Sequence, residues 1–264
     1  MKKQVLSIML ACLVLLSLLV SCGETPNTME AIVGLAVSAL EENAYSATST
    51  IGVESTNSEI ADVVATLNGS LPTITYSVKD GQFTAKLNMS VSDVAVEKAY
   101  TLKDGVLYSN SLVSASGVQT VVKKKAIFDG EKLTTALTDI GAGAEIDYTD
   151  FSKFVIEGEG EKYTISFTEM KPDALTGVDA LMGGALEEAG YTLTLTNVTM
   201  KYNIESGKYL DTQVTYTYQV EADGETYSLT TSVTTTYDYT TEVVIFAPQD
   251  TGAYELVGYE DVLK

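Results

Sequence analysis

The chain has no histidine, no arginine and no tryptophan, and only two cysteines and four prolines among its 264 residues. Each absence excludes something. Without His there is no Ser-His-Asp or Cys-His catalytic set, no imidazole metal ligand and no side chain that ordinarily titrates near neutrality. Without Arg there is no bidentate clamp for phosphate or carboxylate. Cation is scarce too: 16 lysines face 36 acidic residues, for a formal charge of −20. Nucleic-acid binding is driven by cationic release of counterions, so such a surface is not expected to bind nucleic acid. What the chain does have is apolar content, 45% of its residues, which suits a buried core and argues against disorder.

The amino terminus carries a clear pattern. Lys2 and Lys3 form a positive start, and Val5 to Val20 form an apolar run of about 16 residues broken only by Ser7 and Ser17. That run is short for a transmembrane helix, which needs roughly 20 residues, and it ends on small and acidic residues rather than a basic stop. A conventional signal peptide would end on a small-x-small site, which Leu19-Val20-Ser21 fits poorly. Leu19-Val20-Ser21-Cys22 instead resembles the lipobox of bacterial lipoproteins. The resemblance implies a diacylglyceryl thioether on the Cys22 sulfur and cleavage before it. Residues 1–21 would then be a lipoprotein signal peptide, 22–28 a lipidated cysteine and short tether, and 29–264 one folded domain. The implied partner is a membrane, reached through Cys22, and the implied location is the outer side of the bacterial cytoplasmic membrane. In a host with two membranes it is the outer membrane, because Gly23 stands where an inner-membrane retention Asp would.

The cysteine count agrees with this reading, since Cys12 lies in the discarded segment and leaves Cys22 with no disulfide partner. Losing Lys2 and Lys3 takes the charge from −20 to −22. Such a body stands off an anionic bilayer except where lysines face it.

Beyond Pro26 the patterning predicts a helix capped at Asn27, with Glu30 at capping-box spacing and an apolar stripe of Ile32, Leu35, Ala36, Ala39 and Leu40. From Tyr45 the period changes to two. Strands are predicted near 45–55, 60–67, 72–79, 82–93, 96–103, 105–110, 117–128, 152–158 and 161–168. Asp80-Gly81, Asp104-Gly105 and Asp223-Gly224 mark hairpin turns, because Asp-Gly accepts the positive φ that tight turns need. Two more helices are predicted, over 130–140 and from Pro172 to Ala189, the latter softened by Gly177, Gly183 and Gly184. In the last quarter Leu210, Val214, Tyr216, Tyr218 and Val220 alternate with polar residues, as do Tyr227, Leu229, Val233, Tyr237, Tyr239 and Val243. A phase slip near Asn197 predicts a β-bulge. Thr, at 34 residues, suits the solvated face of a sheet.

Ten to twelve strands at about 4.8 Å spacing make a sheet about 50 Å wide, while three helices of about 10 Å cover only some 30 Å. The sheet must therefore curl. The expected fold is α+β and mostly β: a strongly curved antiparallel sheet, an open half-barrel, with about three helices on its concave face. Lipobox, short tether, amphipathic first helix, antiparallel meander and a closing strand into Phe246-Ala247-Pro248-Gln249-Asp250 resemble bacterial lipoproteins of the Lol carrier superfamily, including mycobacterial lipid-carrier lipoproteins. That resemblance implies a cavity sheltering acyl chains, and hence a hydrophobic ligand held without catalysis. The missing Arg, which that family uses in its cavity, speaks against lipoprotein shuttling itself.

Candidate cavity residues are Leu35, Leu181, Met182, Tyr216, Tyr218 and Tyr237. The tyrosines read either as cavity lining or as cross-strand packing with hydroxyls at the rim. Leu181-Met182-Gly183-Gly184 reads either as a lid or as a core helix. Lys123, Lys124 and Lys125 form the only basic run, facing anionic headgroups or guarding an edge strand. The acids Asp147, Asp150, Glu157, Glu159 and Glu161 lack calcium-loop spacing and read as surface, so no metal site is expected. No nucleophile motif is present, and neither an enzyme nor a cofactor is expected. The alternative to ligand binding is a structural or protein-interaction lipoprotein with a filled core.

Overall fold

The computed structural model describes residues 28–58, 61–91, 93–128, 136–137, 148–176, 192–222 and 225–263. Strand β1 (Tyr45–Ser55) sits mid-sheet. On one side run β2 (Thr73–Lys79), β3 (Gln82–Val91), β4 (Val94–Lys103), β5 (Val106–Ala115) and β6 (Val118–Ile127). The chain then passes to the far edge and returns through β7 (Phe151–Glu159), β8 (Lys162–Met170), β9 (Thr192–Glu205), β10 (Lys208–Ala222) and β11 (Glu225–Asp238), which closes on β1. A two-residue β12 (Glu255–Leu256) lies parallel to β6; every other pairing is antiparallel. The twelve strands form one sheet that does not close into a barrel, an α+β, mostly β, open half-barrel. Only the β1–β11 seam joins full-length strands far apart in sequence; the other long pairings join strands consecutive in the chain, most through tight turns, with residues 56–72 between β1 and β2 and residues 171–191 between β8 and β9. Those turns use left-handed pairs: Asp80-Gly81 (φ 50° and 70°) and Asp104-Gly105 (51° and 74°). The expected turn at 223–224 lies outside the described residues.

Helix α1 (Met29–Glu42) is capped by Thr28, whose Oγ1 accepts from the Ala31 amide at 3.3 Å; Asn27, the expected cap, lies outside the described residues. The later cap brings Met29 into the buried stripe Met29, Ile32, Val33 and Ala36. At its other end the Asn43 side chain donates to the Ala39 carbonyl at 2.8 Å. The true stripe is rotated from the expected one, which leaves Leu35 51% exposed.

The segment expected as a strand over 60–67 is helical: α2 runs Ala61–Ser70. Tertiary context explains the difference. Strand β2 pairs β1 only along Tyr45–Thr50, so the β1 backbone beyond Thr50 needs another partner. Asn68 supplies it from the helix: its Oδ1 accepts from the Val53 amide and its Nδ2 donates to the Val53 carbonyl, both at 2.8 Å. Asn68→Ala orphans both groups and is expected to cost about 1–3 kcal/mol in urea unfolding, whereas exposed Thr66→Ala is expected to cost well under 1 kcal/mol.

The bulge expected near Asn197 is present: Asn197 pairs Thr217 and Leu195 pairs Tyr218, so Thr196 is the extra residue. A second, unforeseen bulge at Leu210 turns that side chain outward, 43% exposed, rather than into the apolar series. Of the other expected helices, Ala136 and Leu137 are helical and buried, and residues 172–176 are helical; the remainder lies outside the described residues. The expected closing strand is instead an unpaired stretch past Thr241, held by Lys79 Nζ on the Val243 carbonyl (3.3 Å) and Lys103 Nζ on the Ile245 carbonyl (3.1 Å). Then comes a short helix, α3 (Tyr259–Leu263), that the patterning did not suggest.

Two apolar clusters lie on the inner face. One packs α1 against β8–β11 around Phe167, Val198, Met200 and Tyr218. The other packs Ala136, Leu137 and Val262 of α3 against β1–β6 around Tyr45, Tyr76, Phe83, Leu102 and Leu107.

Candidate functional site

Registration sorts β1–β6 cleanly into two faces. Phe83, Leu102, Leu107 and Ala126 stand in a row across β3–β6, as do Ala85, Tyr100, Ser109 and Lys124. The next rows are Leu87, Lys98, Ser111 and Val122, then Met89, Val96, Val113 and Thr120. The last row holds Val91, Val94, Ala115 and Val118. The first row is buried in the core. Toward the last the face stays apolar yet open: Met89 is 36%, Val94 41%, Val122 42% and Val118 68% exposed. An exposed apolar strip on the inner side of a sheet is the informative case, since it lacks the burial that apolar strand faces normally obtain.

Between core and strip lies a polar band. Along the inner face of β1–β6 the only charged side chains are Lys98 and Lys124. Lys98 Nζ sits 5.2 Å from the centre of the Tyr100 ring and donates to the Leu263 carbonyl at 2.5 Å; the Tyr100 hydroxyl donates to the same oxygen at 3.2 Å. Lys124 Nζ donates to the Asp261 carbonyl at 2.9 Å. Both lysines thus cap the carboxyl end of α3, where a cation is favoured. Burial and then the like charge of Lys124 hold the Lys98 ammonium below its ordinary pKa. Burial pushes the Tyr100 phenol up to about 12.

The expected site residues scatter. Tyr216 and Tyr218 are on the inner face of β10, packed with the α1 cluster. Tyr237 belongs to a second group with Tyr45, Tyr76, Tyr209 and Tyr239; Tyr45 lies 5.8 Å from Tyr237, 5.9 Å from Tyr239 and 6.2 Å from Tyr76. This is the cross-strand packing reading of the tyrosines, with ring centres at ordinary aromatic distances. None of the three borders the open strip. Leu35 is exposed on α1 beside the β9–β10 turn, where a Cβ on Gly207 would lie 3.7 Å from it. Leu181, Met182 and Cys22 lie outside the described residues.

Lys123, Lys124 and Lys125 all grip the carboxyl-terminal segment. Lys123 Nζ lies 5.6 Å from the Tyr254 ring centre on the outer side, and Lys125 Nζ donates to the Thr251 carbonyl at 2.8 Å. Tyr254 in turn meets Tyr108 edge-on at 5.3 Å. The segment therefore clasps β6 from both faces, with Tyr254 outside and Val262 inside.

Two open grooves of about 410 and 480 Å³ lie on the outer side. The smaller contains a satisfied polar ladder, Thr164 to Asn203 (2.8 Å) to Asp211 (2.7 Å), beside the Lys162–Glu205 ion pair. Among the described residues no group of three or more acids or cysteines could hold a metal. No helix among them is long and apolar enough to cross a membrane.

Sequence reasoning missed the band of Lys98, Ser109 and Ser111. Its signal is legible in hindsight: Val94, Val96, Lys98, Tyr100 and Leu102 share one face by alternation, and a single lysine interrupts an apolar series. No known protein-family model matches the chain, and no curated protein sequence matches it significantly. What defines the site is the fold itself, an open half-barrel with a partly uncovered apolar inner face.

Proposed function

We propose that the chain is a lipid-anchored extracytoplasmic binding protein that holds a hydrophobic ligand, a lipid or lipid-linked molecule, against its inner sheet face without catalysing a reaction. The observation that carries this reading is the apolar strip Met89, Val94, Val96, Val113, Val118 and Val122, which continues the core's inner face and is left partly open. The lipobox at Cys22 supports the location, because a tethered carrier meets its ligand at the bilayer.

The test is lipid extraction of the full chain purified from membranes, followed by mass spectrometry. Stoichiometric lipid is expected on the native chain. Val113→Asp places a carboxylate in the strip, where burying it against an acyl chain is costly, and should abolish co-purification with the melting temperature little changed. Absence of lipid from the native chain would favour a second reading, a structural or interaction lipoprotein. The dense packing of α1 on β8–β11 is what speaks for that alternative.

A further inference from the structure

We propose that the ligand is an anionic amphiphile, whose negatively charged head is bound by Lys98 and Lys124 and whose chain lies along the open strip. This rests on the hydrophobic-ligand reading above and adds to it the chemistry of the head.

Three observations converge. First, the inner face of β1–β6 carries two lysines and no acid, in a chain with 36 acidic residues against 16 lysines; Glu255 of β12 is registered across from Lys124 at the sheet edge but forms no ion pair with it among the described residues. Second, among the described residues both ion pairs, Lys153–Glu169 and Lys162–Glu205, lie elsewhere, and neither Lys98 nor Lys124 meets a carboxylate. Each instead gives one of its three N–H groups to a backbone carbonyl of α3, leaving capacity for an anion. The two ammonium groups repel each other, which is a cost that a shared anion removes. Third, the band sits where the packed core ends and the strip begins. Ser109 and Ser111 lie directly across from Lys124 and Lys98, adding hydroxyl donors for carboxylate or phosphate oxygens. From Lys98 the strip runs along β4 to Val94, four residues or about 13 Å, room for an extended alkyl chain.

The experiment titrates the purified full chain with laurate, dodecyl phosphate and lauryl alcohol, three probes with the same chain and different heads, by calorimetry at low and high salt. Laurate and dodecyl phosphate are expected to bind at least tenfold tighter than the alcohol, with that advantage shrinking as salt rises. The preferred anion of the two identifies a carboxylate or a phosphate head. Lys98→Met and Lys124→Met keep the apolar stem and should each remove most of the anion preference, leaving alcohol binding unchanged. Lys123→Met, on the outer face, should leave all three affinities unchanged.

Equal binding of anion and alcohol by the native chain overturns the head assignment while leaving the hydrophobic-ligand reading intact. Failure of all three to bind overturns both. Because Lys98 and Lys124 also cap α3, melting temperatures of the variants accompany the titrations. Should the variants not fold, the native chain's anion-to-alcohol ratio and its salt dependence still decide the question.

Discussion

Raising the pH above 10 is expected to unfold the protein in one steep transition, complete between about pH 11 and pH 13. The cause is the tyrosine group on the inner face. Burial holds the phenols of Tyr45, Tyr76, Tyr209 and Tyr237 above their ordinary value of 10.0. The neighbouring phenols raise Tyr45, Tyr76 and Tyr209 further, while hydrogen bonds from Thr212 and Tyr76 partly relieve Tyr237. A folded-state value above the unfolded one means the folded chain keeps protons that the unfolded chain releases. Stability is therefore whole below about pH 10 and falls as pH rises. Each such group contributes a slope of up to about 1.4 kcal/mol per pH unit. Four acting together exhaust a typical 5–15 kcal/mol within one to three units. Circular dichroism and tyrosinate absorbance should change together, and Tyr76→Phe should make the transition shallower. A gradual absorbance rise centred near pH 10 with unchanged dichroism would show the tyrosines to be solvated and the packing wrong.

Phe167→Ala is expected to cost about 3–5 kcal/mol in urea unfolding, while Phe154→Ala costs under about 1 kcal/mol. Both are phenylalanines of the β7–β8 hairpin and stand opposite each other. Phe167 is 1% exposed and Phe154 is 47% exposed. The Phe167 ring centre lies 5.2 Å from Tyr202, 5.8 Å from Phe151 and 6.2 Å from Tyr148, and the residue belongs to the cluster that seats α1. Its removal leaves a void that this ring of aromatics cannot collapse into. Amide exchange in β8 and β9 should rise before that in β2–β5, because the two inner-face clusters are joined mainly through the β1–β11 seam. Equal destabilisation by the two substitutions would contradict the burial on which this contrast stands.

Much of the sheet was legible in the chain because the strand period is two and the turns are punctuated. Phe83 and Ala85 alternate with Thr84 and Lys86, and Asp80-Gly81 fixes the register that puts Phe83 beside Val78. The bulge at Thr196 was legible for the same reason, since one extra residue shifts the phase of everything after it. Residues 61–70 were not. Ala61, Val63, Val64 and Leu67 fit a strand as readily as a short helix, and what decides is the backbone of β1, 15 residues earlier, which Asn68 satisfies. The stripe of α1 slipped similarly, since several of its faces are apolar and only the sheet beneath selects Val33 over Leu35.

The site divides along the same line. Tyr216, Tyr218 and Tyr237 drew attention as an aromatic series, yet the structure uses them for packing. Lys98 drew none, because one lysine in a strand is unremarkable until its neighbours across the sheet are known.

By itself the sequence determined the acidic charge, the alternation that makes a wide two-faced sheet, and the turns that make it a meander. These are local properties, written within a few residues of each other. Only the tertiary structure decided which part of the inner face is covered, that a carboxyl-terminal helix rests on two lysines, and where the apolar strip is left open. Those depend on which distant segments lie across the sheet, and that is settled by the sum of many weak contacts rather than by any nearby residue.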